Sequence, residues 1–585
     1  MKRFLGTALI LCLFLSCSDK KQASWQVERG ASAGGVLARA STGNVSRPEL
    51  REGGISVRKD LPVGAYVEWE LGPEIAGMAD PNLEWVQGSE RSILVAEALS
   101  SAGGPNAWRR FRAPLDGFSG AAQLEYTRAE ENLLRSQPRV ILPSATGRRI
   151  SVVWIVIDTL RADYLGCYGH DRPTSPEIDK FARRSLVFER AVSPASWTLP
   201  AMTSMFTGLY AESHGVLHAE HRMQKSALSF VEVFASAGYS TGAIVSGTFT
   251  DSFWGFDQGF DEYDDLGMVV DDHEGGSVEI SAMKERAHRR ITSPEVTDRA
   301  LDWLDRNGDR QFFLLAHYFD PHQDFVEHAG FSEQFAPRPS ESASFGKLDP
   351  NPQATAKLRA LYEGEIAFTD HHIGRLLERL QTESFRDDVA IVITADHGEE
   401  FYERRWLGHG NSLFNELVRV PFILYVPGVE ARRVTESMTT LDLAPTLLEL
   451  SGLADSFGQG LSLVSSFPAD AAPLKRQVYT SLYPTLATTP GETSSQSAYR
   501  VDEGGDAAIK DKNITIPLLF SWSDDPLQER NLGGQRSKRV KRLLEGYERV
   551  KPELLKQQGQ PELIELSADQ LETLRGLGYV GDGKE

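Results

Sequence analysis

The sequence predicts an α/β protein, a doubly wound sheet preceded by a β-rich N-terminal module and followed by a small α+β C-terminal subdomain. Three observations carry this. Apolar runs of five or six residues recur at 152–157, 241–245, 312–316, 389–393 and 422–426. They have strand length and are apolar on both faces, as strands covered by helices on both sides must be. Between them, 300–306 and 358–380 place apolar residues at helical spacing. Residues 18–148 show no such alternation. They hold short apolar stretches at 65–71, 92–98 and 121–126 between Gly, Pro and Asn turns, the texture of a β-sandwich-like module.

The 585 residues suffice for several domains and a large core. Expected divisions are 1–16, 17–148, 149–455 and 456–585, with polar joints at 144–149 and 485–497. Hydrophobic content of 41% and charged content of 25% are ordinary for a globular protein. The 62 Lys and Arg against 82 Asp and Glu leave a net charge of −20, which argues against nucleic acid as a partner.

The N-terminus has the grammar of an export signal. Lys2 and Arg3 form a basic start, 4–15 is apolar, and the small Ser16 precedes Cys17. The apolar run is too short to span a bilayer. The arrangement resembles a bacterial lipoprotein signal, with Phe14 where that pattern usually has Leu. It implies cleavage after 16, lipid on Cys17 and a membrane-tethered protein of the cell envelope, and Ser18 leans towards outer-membrane sorting. With Cys17 acylated, Cys167 alone remains in the mature chain, and no internal disulfide can form. Cys167 reads as a small buried apolar residue.

Chemistry gathers at strand ends. The first α/β strand runs into Asp158, and the strand at 389–393 ends in Thr394-Ala395-Asp396-His397-Gly398-Glu399. In a doubly wound sheet ligands bind at the carboxyl ends of strands, and Asp, Asp and His there can hold one cation. Between them lies Trp197-Thr198-Leu199-Pro200, in which Pro200 starts a helix and Thr198 sits at its cap. The polar, irregular segments 269–296 and 322–355 read as insertions over the site.

In this order the motifs resemble the sulfatase family of the alkaline phosphatase superfamily. The resemblance covers about 150–455. It rests on Asp158-Thr159-Leu160-Arg161-Ala162-Asp163, on Thr198-Leu199-Pro200 with Thr207-Gly208 behind it, on His317-Tyr318-Phe319-Asp320-Pro321-His322 and on Ala395-Asp396-His397-Gly398-Glu399. Gly408-His409-Gly410, Arg419-Val420-Pro421 and Asp442-Leu443-Ala444-Pro445-Thr446 follow. The family's C-terminal signature is matched by 519–526 with Glu529, Asn531 and Leu532. The resemblance implies an alkaline-phosphatase-like fold. Asp158, Asp396 and His397 would be metal ligands, Thr198 the nucleophile and a further ligand, and His322 and His409 contacts to the ester or its leaving group. It implies one divalent ion, manganese, magnesium, zinc or calcium. His214, His317, His371 and His372 are read as structural, and Asp163 and Asp370 as supports.

The chain departs from that family at the reacting centre. Thr198 stands where sulfatases carry the Cys or Ser that matures to formylglycine. Met202 replaces an Arg four residues on, Ala243-Ile244-Val245-Ser246-Gly247 lacks the family's sulfate-contacting Lys and His, and Thr159 replaces a ligand carboxylate. Thr cannot give the aldehyde. The expected activity is therefore metal-dependent hydrolysis or transfer of a phosphate ester through Thr198, on an envelope lipid or glycan. Sulfate ester hydrolysis is the alternative, and an inactive binding lipoprotein of the same fold is a second.

Overall fold

The computed structural model describes residues 150–265, 292–323, 325–337, 351–404, 406–454, 456–471, 474–485 and 496–564, with the strands between Val27 and Ile141. The chain divides into two compact units, Met1–Arg148 and Arg149–Glu585. Segment 1–16 and Cys17 lie outside the described residues, as do residues 269–291 of the first expected insertion.

The first unit contains two antiparallel sheets. One orders Val27–Glu28, Ile55–Val57, Ala122–Tyr126, Leu83–Gln87 and Glu90–Ile93; the other orders Arg139–Ile141, Tyr66–Leu71, Arg109–Pro114 and Glu97–Leu99. The stretch expected as one strand at 92–98 is divided between two strands that join different sheets.

Eight strands of the second unit share one sheet. In chain order they are β1 (Ser151–Ile157), β2 (Leu186–Val192), β3 (Ser240–Ile244), β4 (Glu262–Asp264), β5 (Phe312–Tyr318), β6 (Val389–Thr394), β7 (Phe422–Tyr425) and β8 (Arg432–Thr439). Spatially they run β4-β3-β5-β1-β6-β7-β2-β8. The run Val152-Val153-Trp154-Ile155-Val156-Ile157 is β-branched or aromatic throughout, buried on both faces and paired in parallel on both edges, with β5 and with β6.

The doubly wound sheet is as expected, and two features add to that expectation. The sheet is mixed, because β7 is antiparallel to both β6 and β2. Among the described residues, the connection from β6 to β7 holds a short pair of strands, Glu400–Phe401 and Leu407–Gly408, and the one-turn helix Asn415–Val418, with no helix long enough for a crossover, so the chain re-enters the sheet from the end at which it left. In addition, β2 and β8 carry charged residues (Glu189, Arg190, Arg432, Arg433, Glu436) and so lack the unbroken apolar run that marks the central strands.

Four helices matter for the site and its supports: α1 (Thr198–Thr207), α2 (Ser293–Asn307), α3 (Pro352–Leu380) and α4 (Ser537–Lys556). Helices α2 and α3 begin earlier than the apolar spacing indicated. Their first turns are polar, and α3 is started by Pro352 and capped by Asn351, whose side-chain oxygen accepts from the Ala354 amide at 3.2 Å. The last residues of the expected insertion at 269–296 thus belong to α2.

After 455 a second, antiparallel sheet forms, β9 (Val478–Leu482), β10 (Ala498–Glu503), β11 (Asp506–Asp511) and β12 (Leu518–Ser521), and α4 packs on it through Leu543 and Tyr547. The C-terminal signature is a pair of turns: Asp525 accepts from the Glu529 and Arg530 amides, and Asn531 from those of Leu519 and Gly533. Most of 485–497, and the tail beyond 564, lie outside the described residues.

Candidate active site

Because β5, β1 and β6 are adjacent and parallel, their carboxyl ends form one row, and each ends in a polar side chain: His317 and then His322, Asp158, and Asp396 with His397. One oxygen of Asp396 is anchored, accepting from the amides of Thr159 at 3.3 Å and His397 at 2.9 Å. Its other oxygen has no hydrogen-bond partner, and neither oxygen of Asp158 has one. All three atoms are fully buried.

His397 completes the set. Its Nδ1 lies 2.9 Å from the Gly398 carbonyl, which fixes the proton on that nitrogen and turns the Nε2 lone pair inward, the orientation of a metal-bound imidazole. Nε2 lies 3.3 Å from Asp396 Oδ2 and 3.7 Å from Asp158 Oδ1. Donor atoms of these three residues lie within 4.8 Å of one another. Burying two carboxylates without hydrogen bonds is costly unless a cation joins them. Burial first, then Asp396 and Glu399, push the Asp158 carboxyl well above its ordinary range. The residues present fit a divalent ion.

Thr198 is the first residue of α1, with Trp197 rather than Thr198 at the cap. Pro200 is tolerated because first-turn amides have no helical partner, and Gly208 ends the helix at φ 66°. Thr198 Oγ1 sits 3.1 Å from His397 Nε2, at the helix end that favours anions. Thr159, by contrast, turns its hydroxyl away and donates to the Pro321 carbonyl at 3.0 Å. Its φ of 53° is unusual for a β-branched residue. The strained backbone is held by Tyr362, whose hydroxyl donates to the Thr159 carbonyl at 2.7 Å and accepts from the Arg161 amide at 3.0 Å.

His409 and His322 stand together over this floor. Their ring centroids are 4.9 Å apart, and His409 is 4.5 Å from His397. His322 stacks on Phe319 at 4.3 Å, with Nδ1 3.3 Å from the Gln323 carbonyl. His409 Nδ1 is 3.2 Å from Glu399 Oε1. Burial pushes Glu399 up to about 8, whereas burial and the neighbouring His397 pull His409 well down. Gly398 is required here, since a Cβ would meet the Glu416 carbonyl oxygen at 2.2 Å.

Sequence reasoning misses three contributors and leaves the place of one unstated. Glu399 enters it only as part of a motif, and its place three residues after Asp396 is the available signal. Tyr362 carries no signal. Arg161 is buried, pairing with Asp163 at 2.8 Å and Glu403 at 2.7 Å and donating to the Glu399 carbonyl at 3.0 Å. His317, expected as structural, lies in the floor with Nε2 3.6 Å from Asp158 Oδ2. His214 contacts Ser204 Oγ at 3.0 Å, and Asp370 accepts from the Glu177 and Ile178 amides. Met202 is fully buried within α1. Cys167, expected to be buried, is partly exposed.

A mixed α/β sheet with two carboxylates and imidazoles at its strand ends and a hydroxyl at the start of α1, together with the family match, makes this chain an ester hydrolase of the alkaline phosphatase superfamily. The Sulfatase family model matches residues 151–453, over half of the chain, and the chain belongs to that family. It is 24% identical over 341 residues to the uncharacterized sulfatase YidJ of Escherichia coli, covering 52% of this chain and 68% of that protein. It is 23% identical over 418 residues to an ulvan-active sulfatase of Formosa agariphila, covering 66% and 77%. The fold resembles that of a phosphonate monoester hydrolase from Silicibacter pomeroyi, with a TM-score of 0.55, 20% identity and coverage of 69% and 96%.

Proposed function

We propose that this sulfatase-family protein cleaves or transfers a phosphate ester through a covalent phospho-Thr198. The observation that carries this reading is the Thr198 hydroxyl 3.1 Å from His397 Nε2, at the N-terminus of α1 and beside the buried carboxylate pair. Formylglycine sulfatases release sulfate by collapse of a hemiacetal, and a Thr has no such exit. A phosphorylated Thr can be resolved by a second attack at phosphorus.

Asp158, Asp396, His397 and Thr198 would hold the divalent ion, and a mixed oxygen and imidazole set suits manganese or zinc better than calcium. When bound, the ion supplies Lewis-acid charge for the ester's non-bridging oxygens and a lowered pKa for the hydroxyl. Thr198 Oγ1 loses its proton to solvent and forms its bond to phosphorus as the bond to the departing alkoxide breaks. The Glu399–His409 pair, with Glu399 protonated near neutrality, holds the proton that the alkoxide takes up; His322 faces His409 across the gap. Water, or an acceptor hydroxyl, then attacks phosphorus and returns the Thr198 hydroxyl.

The family and the relatives' names favour sulfate ester hydrolysis as a second reading. Trapping during turnover of a nitrophenyl phosphodiester, followed by mass spectrometry, separates the two. A phosphoryl adduct on Thr198 is expected, together with loss of turnover in Thr198→Val. Sulfate release without phosphoryl activity, or unchanged turnover in Thr198→Val, overturns the phosphate reading. The basic start, short apolar run and Ser16-Cys17 step support export and a lipid tether on Cys17 at the periplasmic side or outer membrane, so a membrane-borne lipid or glycan ester is the natural substrate class.

A further inference from the structure

His317 is fully buried, and neither of its ring nitrogens has a hydrogen-bond partner. A buried imidazole in that state is rare, because it has given up water at both nitrogens for nothing in return. Its position is not accidental packing. Register pairs it with Val156, two residues before Asp158, and the Asp158 amide donates to the carbonyl of Tyr318. Nε2 approaches Asp158 Oδ2 to 3.6 Å, beyond hydrogen-bond distance, while His397 faces the other oxygen at 3.7 Å. Two imidazoles thus flank one carboxylate on its two oxygens. Only His397 belongs to the group whose donor atoms lie mutually within 4.8 Å.

The backbone at Gly247 packs closely against the ring. A Cβ at Gly247 would meet His317 Cε1 at 3.0 Å and Thr250 Oγ1 at 3.2 Å, so a side chain there would press on the imidazole. Ser246 Oγ donates to the His317 carbonyl at 2.8 Å and fixes the strand end that carries it. The Arg161 guanidinium is committed elsewhere, bonding Asp163, Glu403 and the Glu399 carbonyl.

We propose that His317 binds a non-bridging oxygen of the transferring phosphoryl group, donating its ring N–H to the oxyanion while Asp158, Asp396 and His397 serve the cation. This makes it a catalytic residue by contact with substrate and not a fifth ligand. The assignment rests on the phosphoryl reading above for its choice of probe.

The test compares wild type with His317→Ala and His317→Gln, the latter keeping an N–H donor. Three quantities are read on the full chain: manganese affinity by calorimetry, inhibition by orthophosphate, and kcat/KM on a nitrophenyl phosphodiester. Folding is checked by thermal unfolding. For His317→Ala, manganese affinity stays within about threefold, orthophosphate inhibition weakens at least tenfold, and kcat falls about 10²-fold, the size of losing one oxyanion donor. His317→Gln recovers part of both losses. Manganese affinity falling in step with activity would make His317 a ligand and overturn the proposal, as would unchanged orthophosphate inhibition in both variants. If wild type ignores orthophosphate and cleaves sulfate esters, the phosphoryl reading fails by itself. His317 is then judged by sulfate inhibition in the same variants, with the same two outcomes.

Discussion

Replacing Asp158 by Asn should reverse the order of stability between variant and wild type, depending on whether metal is present. In the metal-free chain Asp158 and Asp396 present carboxylate oxygens within 4.8 Å of each other, buried and with no hydrogen bond to Asp158. At that separation two unit charges repel by about 3 kcal/mol for an effective dielectric constant near 20. The chain relieves this by keeping Asp158 protonated, which is why its pKa is raised. The sign follows: a carboxyl with a raised folded-state pKa binds protons more tightly in the native state, so stability falls as pH rises from the ordinary Asp value through the raised one. The Asp158→Asn substitution removes both the repulsion and that slope. With chelator at pH 8 the variant should therefore be as stable as wild type or up to about 2 kcal/mol more stable. With manganese at about 100 times its dissociation constant, wild type gains about 2.7 kcal/mol and the variant almost nothing. Thermal and urea unfolding, each with chelator and with metal, measure both terms. Equal stabilisation of the two proteins by metal would refute Asp158 as a ligand. A metal-free variant several kcal/mol weaker than wild type would refute the electrostatic account.

The remaining predictions concern proton transfer, support and anchoring. His409→Asn should lose at least about tenfold more activity on an alkyl phosphodiester than on a nitrophenyl one, because only the poor leaving group needs a proton; equal losses would remove His409 from that role. Wild type is expected to lose kcat/KM as pH rises through the raised Glu399 value of about 8, where the pair gives up its proton, and Glu399→Gln should abolish that decline; a profile identical to wild type contradicts it. Arg161→Met should cost about 3 kcal/mol in urea unfolding, since it removes the nearer of two cations from the buried Glu403, leaving Arg359 at 3.2 Å and the Phe401 amide. Mass spectrometry of the mature protein should find an N-terminus at Cys17 carrying lipid, and an unmodified Cys17 or cleavage elsewhere would defeat the tether.

The central strands were legible because burial on both faces demands unbroken apolar runs, and such runs stand out in 152–157, 312–316 and 389–393. Strands β2 and β8 were not, since Glu189, Arg190, Arg432 and Arg433 are partly solvated there and interrupt the pattern. The direction of β7 also escaped. A period-two pattern is the same read either way, and only the lack of a helix long enough to return the chain decides it. The starts of α2 and α3 were hidden for a related reason: a first turn capped by Asn351 and opened by Pro352 is polar, so the apolar stripe begins a turn or more late.

For the site, legibility tracked distance along the chain. Asp158, Asp396 and His397 announce themselves because each terminates an apolar run, and the strand-end rule then places them side by side. His317 sits inside its run, and an imidazole within a strand is usually packing. What separates it from packing is the absence of partners for both ring nitrogens, a property of three dimensions. The same reasoning bears on Ser246 and Gly247. Read as letters they are lost cations, and the departure weakens the case for anion binding. In space Gly247 packs its backbone directly against the His317 ring, and a side chain there would press on the imidazole, so the position that sequence comparison scores as a deficit is one where the neighbouring strand's donor needs the side chain to be absent. A side chain restored at 247, as in Gly247→Lys, should therefore crowd the imidazole and weaken orthophosphate inhibition instead of strengthening it. Tighter inhibition in that variant would show that the missing cation, and not the imidazole, limits binding of the anion.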